Sequence, residues 1–179
     1  METVLGVDPG LATGGMVLIE ANPERVLAVG RMKTIASQGE QVAGEKQFAS
    51  AVARARIQAK ALREFAEEHN PDHISIESFV DLASRAGKED RKRWTTPLVI
   101  GMMDAELRDL GMADRIRYQN PSVLYQFRVE INQIMEANRQ RGKRQKDALC
   151  LDDRLLTNSH LISAWAHASW RAVRLNQES

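Results

Sequence analysis

Two acidic residues close apolar runs, where a carboxylate is costly unless it is paired, hydrogen-bonded or bound to a metal ion. Asp8 follows Val4-Leu5-Gly6-Val7, and Glu77 follows Ile74-Ser75-Ile76. An aspartate ahead of Pro9-Gly10 is also a common turn former. Pro9, however, biases Asp8 toward extended backbone and so keeps its carboxylate at the end of a strand. Gly10, Gly14 and Gly15 leave room for a backbone or a phosphate to approach. Far along the chain, His160, Ser163, His167, Trp170 and Arg174 recur at spacings of three or four and form one stripe of a helix. Leu161, Trp165, Ala168 and Ala172 fall on another side and read as core. A lone helical histidine is most often structural, but neutral imidazole facing two strand-end carboxylates suits a divalent cation. With oxygen ligands from Asp8 and Glu77, and His160 beside them, the expected ion is magnesium or manganese.

The elements that position these residues follow from periodicity and turn signals. Val4 to Asp8, Gly14 to Ile19 and Val26 to Met32 read as a three-stranded meander broken at Pro9-Gly10 and Asn22-Pro23. From Glu45 to His69 the apolar positions recur at helical spacing, and Asn70-Pro71-Asp72 stops that helix. His73 to Phe79 reads as a strand and residues 81 to 95 as a polar loop. Thr96-Pro97 opens a helix that Gly111 ends. Arg115 to Gln119 is a short strand. Asn120-Pro121-Ser122 then opens a helix with Val123, Phe127, Ile131 and Ile134 on one face. A last helix is expected from Leu155 or Asn158 to Arg174, with 175–179 frayed. A right-handed crossover through the 45–69 helix places the 73–79 strand parallel to the first one, so Asp8 and Glu77 converge. The expected class is α/β, a mixed sheet with helices on its faces, in one domain of residues 1–174.

A chain of 179 residues can bury roughly 70% of its unfolded surface, so a structural metal or disulfide is not required for stability. Its 43% hydrophobic content and mean hydropathy of −0.40 fit a soluble protein, and no apolar run approaches a membrane span. One cysteine and a start unlike a signal peptide predict a cytoplasmic protein. The net charge of +1 hides basic runs. Arg139, Arg141, Lys143, Arg144 and Lys146 lie together without an acid, and Arg85, Lys88, Arg91, Lys92 and Arg93 are only partly offset by Glu89 and Asp90. Such runs are often solvated faces, yet local basic patches on a near-neutral chain can hold phosphates. They are the candidate phosphate contacts, together with Arg171 and Arg174.

Four motifs in order resemble the RuvC-type Holliday-junction resolvases, particularly their phage-encoded relatives, within the RNase H-like nuclease superfamily. Val4-Leu5-Gly6-Val7-Asp8-Pro9-Gly10 with Thr13-Gly14-Gly15 is similar to the first-strand motif that carries a metal-binding aspartate. Ile74-Ser75-Ile76-Glu77-Ser78-Phe79 is similar to the second, whose glutamate is the next ligand. Tyr118-Gln119-Asn120-Pro121-Ser122-Val123 resembles the strand-to-helix junction, although the basic residue that often follows is absent. His160-Leu161-Ile162-Ser163-Ala164 resembles the final helix, where the family has an aspartate three residues after the first ligand. This chain has Ser163 there. Asp152 or Asp153 is the alternative source of that acid if the helix begins earlier.

The resemblance implies a five-stranded RNase H-like sheet, three antiparallel strands then two parallel. It also implies a metal-dependent endonuclease for branched DNA, acting as a homodimer on four-way junctions in a bacterial or phage-infected cell. Asp8, Glu77, His160 and Ser163 would form its catalytic set. In a two-metal scheme acids hold two ions about 3.5–4 Å apart, and Ser163 leaves that set short of an anion. The alternative is a junction-binding protein with the chemistry disabled. A sugar-kinase-like phosphotransferase also starts from a strand-end Asp and Gly-rich turn, but needs two such domains, for which 179 residues leave no room.

Overall fold

The computed structural model describes residues 1–10, 12–22, 24–34, 45–78, 95–129, 131–132, 149–151, 154–156 and 159–178. Strands β1 (Thr3–Asp8), β2 (Thr13–Ala21) and β3 (Glu24–Lys33) form the antiparallel meander. Helix α1 (Glu45–His69) then crosses over to β4 (His73–Glu77), which lies parallel to β1. Helix α2 (Thr95–Asp109) and a 3-10 turn at Ala113–Arg115 lead to β5 (Ile116–Gln119), parallel to β4. The sheet order is β3-β2-β1-β4-β5, the mixed arrangement expected.

Alternation along the strands sorts two cores. Leu5, Val7, Ile74, Ile76 and Ile116 pack with α1 and α2 on one face, around Leu62, Val99, Met103 and Leu107. Val4, Val17 and Ile19 face the other way, against the last helix, α4 (Ser159–Glu178), which contributes Leu161, Trp165, Ala168 and Ala172. Asp8 is in phase with Val4, and Glu77 is out of phase with Ile74 and Ile76. Both carboxylates therefore point to the α4 side. Helix α4 lies close to the sheet there, because a Cβ on Gly6 would sit 1.9 Å from the Ala164 carbonyl oxygen and one on Gly15 2.4 Å from that of His160.

Three expectations need correction. Helix α4 starts at Ser159, and Leu149–Leu151 (β6) pairs antiparallel with Arg154–Leu156 (β7) as a hairpin. Leu155 is thus in a strand, since a three-pair ladder overrides the helical pattern read from sequence. The tail from 175 is not frayed as far as 178, because Leu175 continues the apolar spacing of Ala168 and Ala172 and is buried in the same core. The helix expected from Val123 is broken at Phe127: α3 (Val123–Gln126) is a single turn and helical backbone resumes at 128–129 and 131–132. Val123 and Ile131 are buried and Phe127 packs edge-on against Trp165 at 5.5 Å. Ile134 lies outside the described residues, as do Asp152 and Asp153, which β7 separates from α4.

The start of β1 is tied to the start of β4 by Thr3, whose N–H and Oγ1 both donate to Asp72 Oδ2 at 2.8 Å. Partial burial works to raise the Asp72 pKa, but these hydrogen bonds outweigh it and hold the carboxyl below its ordinary 3.8. A lowered folded pKa gives stability that is present above the ordinary value and lost as pH falls through the folded one. Asp72→Asn should therefore lower the melting temperature at pH 7, and the gap should close as the pH falls through the lowered folded pKa of Asp72. A gap independent of pH would assign the effect to shape rather than charge.

Candidate active site

Parallel pairing sets Val7 opposite Ile76, so one step further the register brings Asp8 and Glu77 side by side at the carboxyl ends of β1 and β4. That end of a parallel sheet is where ligands bind in open α/β folds. The two acids open into a cleft of about 730 Å³ whose other walls include Ser78, Thr95, Thr96, Tyr125, His160 and Ser163. None of the described lining residues is a lysine or arginine. On the opposite face of the sheet, fully buried Gln58 donates its Nε2–H to the Gly10 carbonyl, pinning the turn that follows Asp8.

Helix α4 supplies the partners of both acids. His160 Nδ1 lies 3.0 Å from Asp8 Oδ2. Ser163 Oγ donates to Glu77 Oε2 at 2.8 Å, and His167 Nε2 lies 3.0 Å from the same oxygen. The other ring nitrogen of His167 is 3.0 Å from Gln119 Oε1, and β5 places Gln119 opposite Glu77. A carboxylate only accepts, so His167 Nε2 carries a proton whenever Glu77 is ionised. A neutral ring then needs the Gln119 amide turned to present its NH2 to Nδ1, whereas an imidazolium takes the amide oxygen.

These contacts push the two acids apart. Burial raises the Asp8 pKa; the His160 hydrogen bond opposes this, and the charge of Glu77 adds to it. Burial also works upward on Glu77, but hydrogen bonds from His167 and Ser163 prevail and hold its pKa below the ordinary value. His160 is raised, chiefly by its hydrogen bond to Asp8.

The four residues expected at the site, Asp8, Glu77, His160 and Ser163, all come together. His160 is the hydrogen-bond partner of Asp8, and Ser163 is a donor to Glu77. Among the described residues no cluster of three or more His, Cys, Asp or Glu is arranged to hold a metal ion, so the expected set of Asp8, Glu77 and His160 is not preassembled. Magnesium keeps several waters and commonly binds through only one or two carboxylates. The Asp8–Glu77 pair, side by side at adjacent parallel strand ends, offers the two carboxylates such an ion commonly takes. His167 was legible as part of the helical stripe but not as a partner of Glu77, because that contact depends on how α4 lies across β4. The basic residues Arg85, Lys88, Arg91, Lys92, Arg93, Arg139, Arg141, Lys143, Arg144 and Lys146 lie outside the described residues. Arg171 pairs with Glu178, and Arg174 stacks over Trp170 at 5.1 Å. No described helix is long and apolar enough to cross a membrane.

No family model matches the sequence, and no curated protein does. The five-stranded mixed sheet, covered by α1 and α2 on one face and α4 on the other, has the RNase H-like fold. Within that fold the chain is similar to RuvC. It superposes on Thermus thermophilus RuvC in complex with a Holliday junction substrate with a TM-score of 0.66 and 15% identity, over 99% of this chain and 96% of that one. A second structure of T. thermophilus RuvC gives 0.64 and 16%, over 98% and 96%. At these identities the likeness is one of fold.

Proposed function

We propose that the chain is a divalent-metal-dependent endonuclease that cuts branched DNA, four-way junctions in particular. The observation that carries this is the Asp8–Glu77 pair at adjacent parallel strand ends, open to a cleft and set on a fold shared with RuvC. A bound magnesium or manganese ion would polarise the scissile phosphate and supply water of lowered pKa at neutral pH. Asp8 and Glu77 offer the anionic oxygens that draw such an ion into the cleft. His160 keeps a proton beside Asp8 to higher pH than a free imidazole does, which offsets the charge of the buried carboxylate. The Gln58 bond holds the turn after Asp8, and so the direction of that carboxylate.

Phosphate contacts are assigned to the basic runs at 85–93 and 139–146. Ser78 and Thr95, which flank the first run in sequence, both line the cleft. Contacts of this kind position a backbone and read shape more than sequence. A homodimer belongs to the same proposal, since two-fold symmetry in the protein matches that of a four-way junction.

The test is cleavage of a labelled four-way junction and of a duplex of the same sequence, with magnesium and then manganese. Junction cutting with the duplex left intact is the expected result. Ser163, a neutral hydroxyl in place of an acid, favours a second reading as a junction binder. Retention of the junction without cleavage in either metal would select it, and equal cutting of both substrates would remove the structure selectivity.

A further inference from the structure

We propose that His167 is a positioning residue which, together with Ser163, locks one oxygen of Glu77, so that the site takes a single divalent ion rather than two. The inference rests on the nuclease reading and specifies its metal requirement. Glu77 Oε2 receives two donors, Ser163 Oγ at 2.8 Å and His167 Nε2 at 3.0 Å. A carboxylate oxygen has two lone-pair sites, so Oε2 has none left for a cation unless one of these bonds breaks.

The lock is built into the fold. His167 is fully buried, and its far nitrogen is held against Gln119 on the neighbouring strand at 3.0 Å. The ring is fixed from both sides and cannot swing away to release Oε2. The Asp8 carboxylate is used in the same way, with His160 on Oδ2. Among the described residues the side-chain hydrogen bonds to the pair fall on these two oxygens, so Asp8 Oδ1 and Glu77 Oε1 are the ones presented to an ion.

Charge leads to the same count. Two ions would bring four positive charges against the two carboxylates of Asp8 and Glu77. Ser163 adds no negative charge. One ion against two carboxylates is balanced, and water and substrate phosphate complete its shell. Hydrogen-bond partners of ligating groups commonly carry about 10–100-fold in metal affinity, which sets the scale expected for His167.

Manganese binding to the full chain without DNA, followed by the electron paramagnetic resonance of free Mn2+, gives both the number of ions and their affinity. One ion per chain is expected in the wild type. His167→Leu should weaken it by about tenfold or more, and His167→Gln, which keeps a donor, should recover part of the loss. Should His167→Leu fail to fold, Ser163→Ala, which removes the other donor to Oε2, must still weaken binding. Ser163→Asp should raise the count to two. Two ions in the wild type, or unchanged affinity in folded His167→Leu or in Ser163→Ala, would overturn the lock while leaving the nuclease intact if the junction is still cut. No manganese bound and no cleavage by the wild type would overturn both.

Discussion

Asp8→Asn should lower metal-dependent junction cleavage by on the order of 10²–10³-fold, the rate equivalent of losing several kcal/mol of metal-assisted transition-state stabilisation. The substitution keeps the side chain's shape and an oxygen that can accept from His160, but removes the charge that draws in the ion. Folding should not suffer. Asp8 is only 8% exposed, and burial raises its pKa, so its ionised form is held at a cost in the metal-free protein. Asp8→Asn should accordingly melt at or above the wild-type temperature without metal. Junction affinity should hold or rise, because a carboxylate facing phosphate is repulsive when no cation lies between them. Cleavage time courses and metal-free melting curves on the same two proteins check both halves. Undiminished cleavage by Asp8→Asn would place the chemistry elsewhere in the chain.

The largest effect on stability is expected from Gly6→Ala. The added Cβ would lie 1.9 Å from the Ala164 carbonyl oxygen, 2.8 Å from the Ala168 nitrogen and 2.9 Å from the Ala164 carbonyl carbon. All three are backbone atoms of α4, so relief requires moving the helix rather than turning a side chain. Overpacking of well-packed sites costs about 1–3 kcal/mol and sometimes more, and a clash with helix backbone belongs at or above ~3 kcal/mol. Against a typical total of about 5–15 kcal/mol, that is a large share of the fold's stability. The same shift would carry His160, Ser163 and His167 away from the acids, so cleavage should fall with stability. Urea unfolding measures the first effect, and a midpoint within experimental scatter of the wild type would show that α4 does not rest on β1 as closely as described.

Much of this architecture was legible because β-strands have a short, strict period. Once Val4-Leu5-Gly6-Val7 is a strand, the face of Asp8 is fixed, and the apolar positions of 74–76 do the same for Glu77. Helix α1 ran from Glu45 to His69 as expected because Asn70-Pro71 stops it; Asn70 itself takes a φ of 42°. The hairpin of β6 and β7 is not legible in the sequence because three-residue strands have too few positions to display a period. Their pairing, Leu149 with Leu156 and Leu151 with Arg154, is a tertiary choice. The sequence shows His167 as a stripe member and not as a partner of Glu77 for a related reason. A helix sequence gives the angle of a side chain about its own axis, while the neighbour it meets depends on how the helix crosses the sheet. Here that crossing is set by Gly6 and Gly15, whose missing side chains admit α4 to the sheet. Ser163 shows a different limit. Helical spacing puts it on the stripe with His160, but whether its hydroxyl faces an ion or the Glu77 carboxylate depends on contacts that only the folded chain supplies.

The bond between His160 and Asp8 spans 152 positions of sequence, joining the first strand to the last helix. A ribosome therefore exposes the sheet and both acids long before it has made the residues that orient them. During that interval Val4, Val17 and Ile19 lack the cover of α4, and the carboxylates lack their histidine partners. The site is assembled only when α4 docks on the sheet. A chain that lacks α4 thus lacks every side chain that orients the two acids, and the geometry of the cleft is a property of the docked helix and not of the sheet alone.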